Sequence, residues 1–211
     1  MSESQHRSAL VVCVLASETD REDPEVYDLR VAVDGGLAWF HAQNTAPELF
    51  VGDGDSVSEG DLLWARSQGT EVRLVSPDKD YTDFDLALQV CEERGVSEAT
   101  VIGVLGGRVD QQLGVFGSLL RHPGLQLTLR DARQFVRPVF TGQTYQCAEA
   151  LSHFGVVALE SAVVTVTGAR WPLASARLEP LSTWGISNEP QGGQTQVAVT
   201  EGIVLFIGQQ A

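Results

Sequence analysis

Through its first two thirds this chain alternates short, β-rich apolar runs with segments whose apolar residues recur at helical spacing. That alternation leaves few architectures open. The apolar runs are 9–15, 30–33, 48–51, 71–75, 100–105 and 125–129, and the helical segments are 37–44, 60–68, 82–95 and 110–121. Strand and helix in strict succession predict an α/β unit with an open, mostly parallel sheet and helices on both faces. The third helical segment is the best marked. Thr82 and Asp85 form a capping pair ahead of Phe84, Leu86, Leu88, Val90 and Cys91, and Gly95 is placed to end it. After about Arg137 helical periodicity stops. Runs 143–147, 154–159, 162–167, 194–199 and 203–207 read as strands, with Gly168, Pro172, Pro180, Pro190, Gly192, Gly193 and Gly202 supplying turns. The expected fold is therefore an α/β domain over 1–137 followed by a small antiparallel β-sandwich over 138–211.

Composition excludes several functions. The net charge is -14, from 14 Lys+Arg against 28 Asp+Glu, and the one lysine is Lys79. A nucleic-acid or anionic-membrane surface needs clustered cations, so neither is an expected partner. Cys13, Cys91 and Cys147 are scattered without ligand spacing, and the four histidines are far apart, which sets zinc and disulfide chemistry aside. Residues 1–7 are polar and are not followed by the apolar h-region of a secretory signal, and no run is apolar enough to span a bilayer. The expectation is a cytoplasmic protein.

The chemistry clusters where strands end. VAVDGG places Asp34 after one strand, and LFVGDGDS places Asp53, Asp55 and Ser56 after the next. RLVSPDKDYTDFD places Asp78, Lys79, Asp80, Asp83 and Asp85 after a third. VIGVLGGRVDQQ places Gly106, Gly107, Arg108, Asp110 and Gln111 after a fourth. In an open parallel sheet all carboxyl ends share one edge, where ligands bind, so these motifs converge in space. Asp53 and Asp55 aim two carboxylates at that edge, with Gly52 and Gly54 permitting a tight turn. Adding Asp83 or Asp80 gives an all-oxygen set suited to Mg²⁺ carrying phosphates. Gly106-Gly107 ahead of a helix offers N–H groups to an anion, and Arg108 offers a fork. Blander readings stand beside these. Asp85 serves the helix cap, Asp78 a turn and Asp34 the start of the next helix. His41 and His153 read as surface or packing residues, and Trp39 and Trp64 as core.

In this order and spacing the motifs resemble the thiamine pyrophosphokinases. VAVDGG, PELFVGDGDS, PDKDYTDFDLAL and LGGRVDQ come first, then ISNE at 186–189, over nearly the whole chain. The resemblance implies transfer of the terminal diphosphate of ATP to the thiamine hydroxyl, giving thiamine diphosphate and AMP. It also implies a homodimer with active sites between subunits. Carried over by position, Asp53, Asp55 and Asp83 match the magnesium-binding acids and Asp34 the acid of the Asp-Gly-Gly motif. Lys79, Arg108, Asp110 and Gln111 match substrate-side positions, and Ser187 and Asn188 the pair reaching thiamine. The chain departs from the pattern at Gly54, where an aromatic is usual, at Leu37-Ala38, and at Pro190-Gln191, where some relatives place an aromatic residue. Trp184 or Trp171 would then supply the aromatic face. Asp34 and Asp80 both remain open as acceptor of the hydroxyl proton. The alternatives are a related pyrophosphokinase acting on a hydroxymethylpterin-type alcohol, or a non-catalytic nucleotide- or thiamine-binding module.

Overall fold

The computed structural model describes residues 6–76, 78 and 80–211. The expected site residue Lys79 lies outside the described residues. The chain forms two compact units, 1–132 and 133–211. The expected boundary after Arg137 falls inside a strand, Gln134–Phe140, that pairs along its length with Ile203–Gln210 and so belongs wholly to the second unit.

In the first unit the elements are β1 (Ser8–Val12), β2 (Leu29–Val33), α1 (Leu37–Ala42), β3 (Leu49–Gly52), α2 (Glu59–Ser67), β4 (Glu71–Leu74), α3 (Asp83–Glu93), β5 (Glu98–Ile102), α4 (Val109–Arg121) and β6 (Gln126–Arg130). The six strands lie in the order β4-β3-β2-β1-β5-β6, and every pairing among them is parallel. Pleating sends successive side chains to opposite faces. Leu10, Val12, Ala32, Phe50 and Ile102 meet Leu37, Phe40 and Ala65 of α1 and α2 in one cluster. The alternate residues Ala9, Val11, Val31 and Leu49 are equally buried, and α3 packs against β2 and β3. A strand buried on both faces must be apolar throughout, which is why these runs show no alternation. At one edge β4 is largely exposed, and Glu71, Arg73 and Arg94 ring it with charge.

The second unit contains β7 (Gln134–Phe140), β8 (Thr144–Gln146), β9 (Leu151–Ala158), β10 (Ala162–Thr167), β11 (Leu173–Leu178), β12 (Gln196–Glu201) and β13 (Ile203–Gln210). Strands β7, β13 and β9 pair antiparallel in that order, and β11-β10-β12-β8 form a second antiparallel sheet. Inward residues of both sheets close a single core around Phe206, whose ring lies 5.8, 5.5 and 5.0 Å from those of Phe135, Phe154 and Tyr145. This is the expected sandwich. Among the described residues no helix is long and apolar enough to cross a membrane.

Candidate active site

The strand order runs outward from β1 in both directions, so the connection reverses between β1 and β5. Loops leaving neighbouring strands diverge at such a point and leave a crevice at their carboxyl ends. A cavity of about 410 Å³ opens there. Cys13, Val14 and Leu15 line it from the end of β1, Val33 and Asp34 from β2, and Gly103, Val104 and Gly106 from β5. Thr82, Asp83 and Phe84 enter from the start of α3, and Asp110 and Gln111 from α4. Val14 and Leu15, half exposed, form an apolar wall. The motifs foresaw Asp34, Asp83, Asp110 and Gln111 in this company. They missed the wall, because an apolar residue after a strand looks the same as the strand itself.

Asp34 opens a short turn, Asp34–Gly36, with a φ of 48° in the left-handed region. Aspartate tolerates that region better than most residues. Its carboxylate lies across the end of β3, where a β-carbon on Gly52 would come within 2.1 Å of Oδ1. Burial, reinforced by the Asp34 carboxylate, drives the nearby Cys13 thiol far above its ordinary pKa, so it stays protonated and unreactive.

The start of α3 is built around Thr82. Its Oγ1 accepts from the Asp85 N–H at 3.2 Å and donates to Asp85 Oδ2 at 2.9 Å. Asp85 also receives Arg121 from the last turn of α4 at 2.6 Å. Burial opposes ionisation of Asp85, but the hydrogen bonds from Arg121, Ser118 and Thr82 outweigh it and hold its pKa below the ordinary value. Asp85 is therefore more than a cap partner, since it ties α3 to α4 beneath the cavity-lining Thr82 and Asp83.

At the mouth of α4, Arg108 grips Asp110 with two nitrogens, at 2.7 and 3.1 Å. The Arg108 hydrogen bond lowers the Asp110 pKa, and both side chains are open to water. The helix has no side-chain cap. Of the two glycines expected to offer N–H groups, Gly106 donates its own to Gln112 Oε1 at 2.6 Å. That bond pins the turn, a role for Gln112 that no motif signalled.

The remaining predicted acids are not among the residues that line this cavity. Asp53 and Asp55 follow β3, where Asp53 Oδ1 accepts from the Asp55 N–H at 3.1 Å, and Asp80 is exposed. Among the described residues no three His, Cys, Asp or Glu side chains form a ready-made metal cage. Carboxylate oxygens are nonetheless the hard donors that Mg²⁺ takes alongside substrate phosphates and water.

In the second unit a cavity of about 320 Å³ is lined by His153, Phe154, Gly155, Ile186, Ser187, Ile207 and Gln209. His153, expected to be a mere surface or packing residue, is thus on a cavity wall with Ser187. Asn188 is buried beside it. Trp171 and Trp184 are 52% and 56% exposed, so each leaves part of its ring to solvent.

Comparison with known proteins matches both units. Residues 25–129 correspond to "Thiamin pyrophosphokinase, catalytic domain" and residues 144–204 to "Thiamin pyrophosphokinase, vitamin B1 binding domain". Thiamine pyrophosphokinase of Bacillus subtilis is 24% identical over 186 residues, covering 86% of this chain and 87% of that protein. Thiamine pyrophosphokinase 1 of Arabidopsis thaliana is 26% identical over 202 residues, covering 82% and 75%. The fold is shared with a thiamin pyrophosphokinase family protein from Enterococcus faecalis (TM-score 0.85, 21% identity, 97% and 99% covered). It is shared also with thiamin pyrophosphokinase from Candida albicans (TM-score 0.81, 14% identity, 98% and 90% covered). With both of the family's domains matched in order, and with Asp34, Asp83 and Asp110 of its motifs lining a crevice in the first unit, this chain belongs to the thiamin pyrophosphokinase family.

Proposed function

We propose that this protein transfers the terminal diphosphate of ATP to the hydroxyl of thiamine, giving thiamine diphosphate and AMP. The observation that carries the reading is the crevice at the β1/β5 switch point. It is lined by Asp34, Asp83 and Asp110, in a chain that matches a catalytic and a vitamin-binding half.

In the reaction the thiamine hydroxyl oxygen attacks the β-phosphorus of ATP and the bond from that phosphorus to the α,β-bridging oxygen breaks. AMP leaves with the electron pair, and the hydroxyl proton passes to a carboxylate. Asp34, on the cavity wall, is the acceptor we assign; Asp80 lines no part of it. Asp53, Asp55 and Asp83 are the residues that would hold Mg²⁺, which when bound neutralises phosphate oxygens. Arg108 serves by exchanging its exposed partner Asp110 for a phosphate, a swap that costs little because solvent screens the pair. Val14 and Leu15 give a flat ring an apolar wall. Positioning and charge neutralisation carry most of the rate in such transfers.

The test is AMP release from Mg-ATP with thiamine. Thiamine-dependent AMP that vanishes with chelator and returns with Mg²⁺ is the expected outcome, and Asp83→Asn should lower kcat at least ~100-fold. AMP formed with a hydroxymethylpterin and not with thiamine would move the assignment to the related pyrophosphokinase, and binding without AMP would make it a non-catalytic module. We further infer a homodimer, as in the resemblance drawn from the motifs, to be checked by sedimentation equilibrium.

A further inference from the structure

The acid-bearing stretches after β3 and after β4 run into their helices through the same device. Ser58 caps α2 and Thr82 caps α3. Each hydroxyl accepts the N–H of an aspartate three residues on, Asp61 at 3.0 Å and Asp85 at 3.2 Å. Each gives its own proton to that aspartate's Oδ2, at 2.6 and 2.9 Å. The remaining Oδ1 is then tied to the last turn of another helix. Arg121 of α4 holds Asp85 and Nδ1 of His41, on α1, holds Asp61, both at 2.6 Å.

His41, read from sequence as a surface or packing residue, thus has a definite partner. Its ring also lies flat on Trp64, one turn further along α2, with ring centres 4.4 Å apart and planes inclined by 17°. Hydrogen bonds from Ser58 first, then from His41, hold the Asp61 carboxyl below its ordinary pKa, so it is ionised at neutral pH. An ionised carboxylate only accepts, so Nδ1 carries the proton whether the ring is neutral or charged. The tie therefore does not depend on the charge of the imidazole.

The two helices begin at two acid-bearing turns. The Asp34–Gly36 turn leads directly into α1, and the stretch with Asp53 and Asp55 leads into Ser58 and α2. Those turns already touch, since a β-carbon on Gly35 would stand 3.4 Å from the Ser56 carbonyl oxygen. Such a contact limits approach but is not directional. With six residues α1 is about 9 Å of helix, and it has no side-chain cap at its start. A helix that short is oriented by its contacts rather than by its own stability. The His41–Asp61 bond supplies a directional contact at its far end.

Resting on the functional reading above, we propose that His41 and Asp61 are positioning residues for the reaction. Their latch between α1 and α2 fixes the stretch of Asp53 and Asp55 against the Asp34 turn. The carboxylates that would receive magnesium with its phosphates are thereby set in place before the nucleotide arrives. Presetting them removes an ordering cost at binding. Neither latch residue lines the cavity, so both act only through the turns they hold.

The experiment takes His41→Ala, Asp61→Ala and the double variant of the full chain. It reads the calorimetric Kd for Mg-ATP, then kcat and the KM for each substrate. Both changes spare the fold, because His41 is 43% exposed and the Ser58 cap bonds the backbone N–H of residue 61. Each should weaken Mg-ATP binding at least ~5-fold with the thiamine KM within about twofold, and the pair should be no worse than the poorer single variant. His41→Asn, whose amide nitrogen can stand where Nδ1 does, should bring the Kd back to within about twofold of wild type. An unchanged Kd in both single variants overturns the latch, as do losses that multiply in the double variant. A loss that falls equally on both substrates and follows the melting temperature overturns it too, because it marks a role in folding alone. A wild type that binds Mg-ATP but makes no AMP from thiamine overturns only the functional reading, and the same Kd series then decides the latch by itself. A wild type that binds no Mg-ATP overturns both.

Discussion

Asp34 sits at φ 48° with its carboxylate pressed against the end of β3, and the contact is possible only because residue 52 has no side chain. The glycines of GDGDS invite one explanation from sequence, a tight turn. The structure gives two. Gly54 has a φ of 85° and needs the freedom, whereas Gly52 is an ordinary strand residue that must leave room for Asp34 Oδ1. No reading of a single strand finds that requirement, since the neighbour arrives from another strand. Gly52→Ala should therefore act on Asp34 before it acts on the turn. We expect kcat to fall at least ~10-fold, with a stability loss of about 1–3 kcal/mol as in other overpacked sites. Circular dichroism melts and AMP assays on one sample separate the two effects. An alanine variant with full kcat would mean that Asp34 does not serve the reaction from this position.

The helices that feed the crevice are held as a pair. Thr82 and Asp85 were legible as a capping signature because both lie within one turn, but Arg121 is distant in sequence and its bond to Asp85 was not. The consequence is a pH dependence with a definite sign. Asp85 has a folded pKa below its unfolded value of about 3.9, so its contribution is present in full above that value. It is lost as the pH falls through the folded pKa. Asp85→Asn should cost about 1–3 kcal/mol at neutral pH, moderated by the half-exposed Arg121, and should flatten the loss of stability below about pH 4. Urea melts across pH 2–7 measure both, and parallel curves for variant and wild type would refute the tie. Strand legibility follows the same locality. The runs in β1, β2 and β3 stand out because both faces are buried. Two strands escaped: β7 carries Pro138 and Arg137, which break the apolar pattern, and β11 (Leu173–Leu178) buries only its ends well.

At the scale of the molecule, acid outnumbers base by 28 to 14, and many of the cations are already taken. Arg30 pairs with Glu25 and Glu48, Arg73 and Arg94 with Glu71, Arg121 with Asp85, Arg170 with Glu189 and Arg177 with Glu201. The excess therefore remains as a net negative field, which attracts a cation and opposes an unneutralised anion. Thiamine carries a positive thiazolium, whereas ATP remains negative even with magnesium, so salt should act on the two substrates in opposite senses. Raising the ionic strength from about 0.01 M to about 0.1 M shortens the screening length from about 30 Å to about 10 Å. Over that range the thiamine KM should rise several-fold while the Mg-ATP KM stays level or falls. Initial rates at saturating second substrate and constant free Mg²⁺ isolate each constant. A thiamine KM indifferent to salt would mean that recognition of the cation rests on contacts at the site alone, with no contribution from the charge of the whole chain.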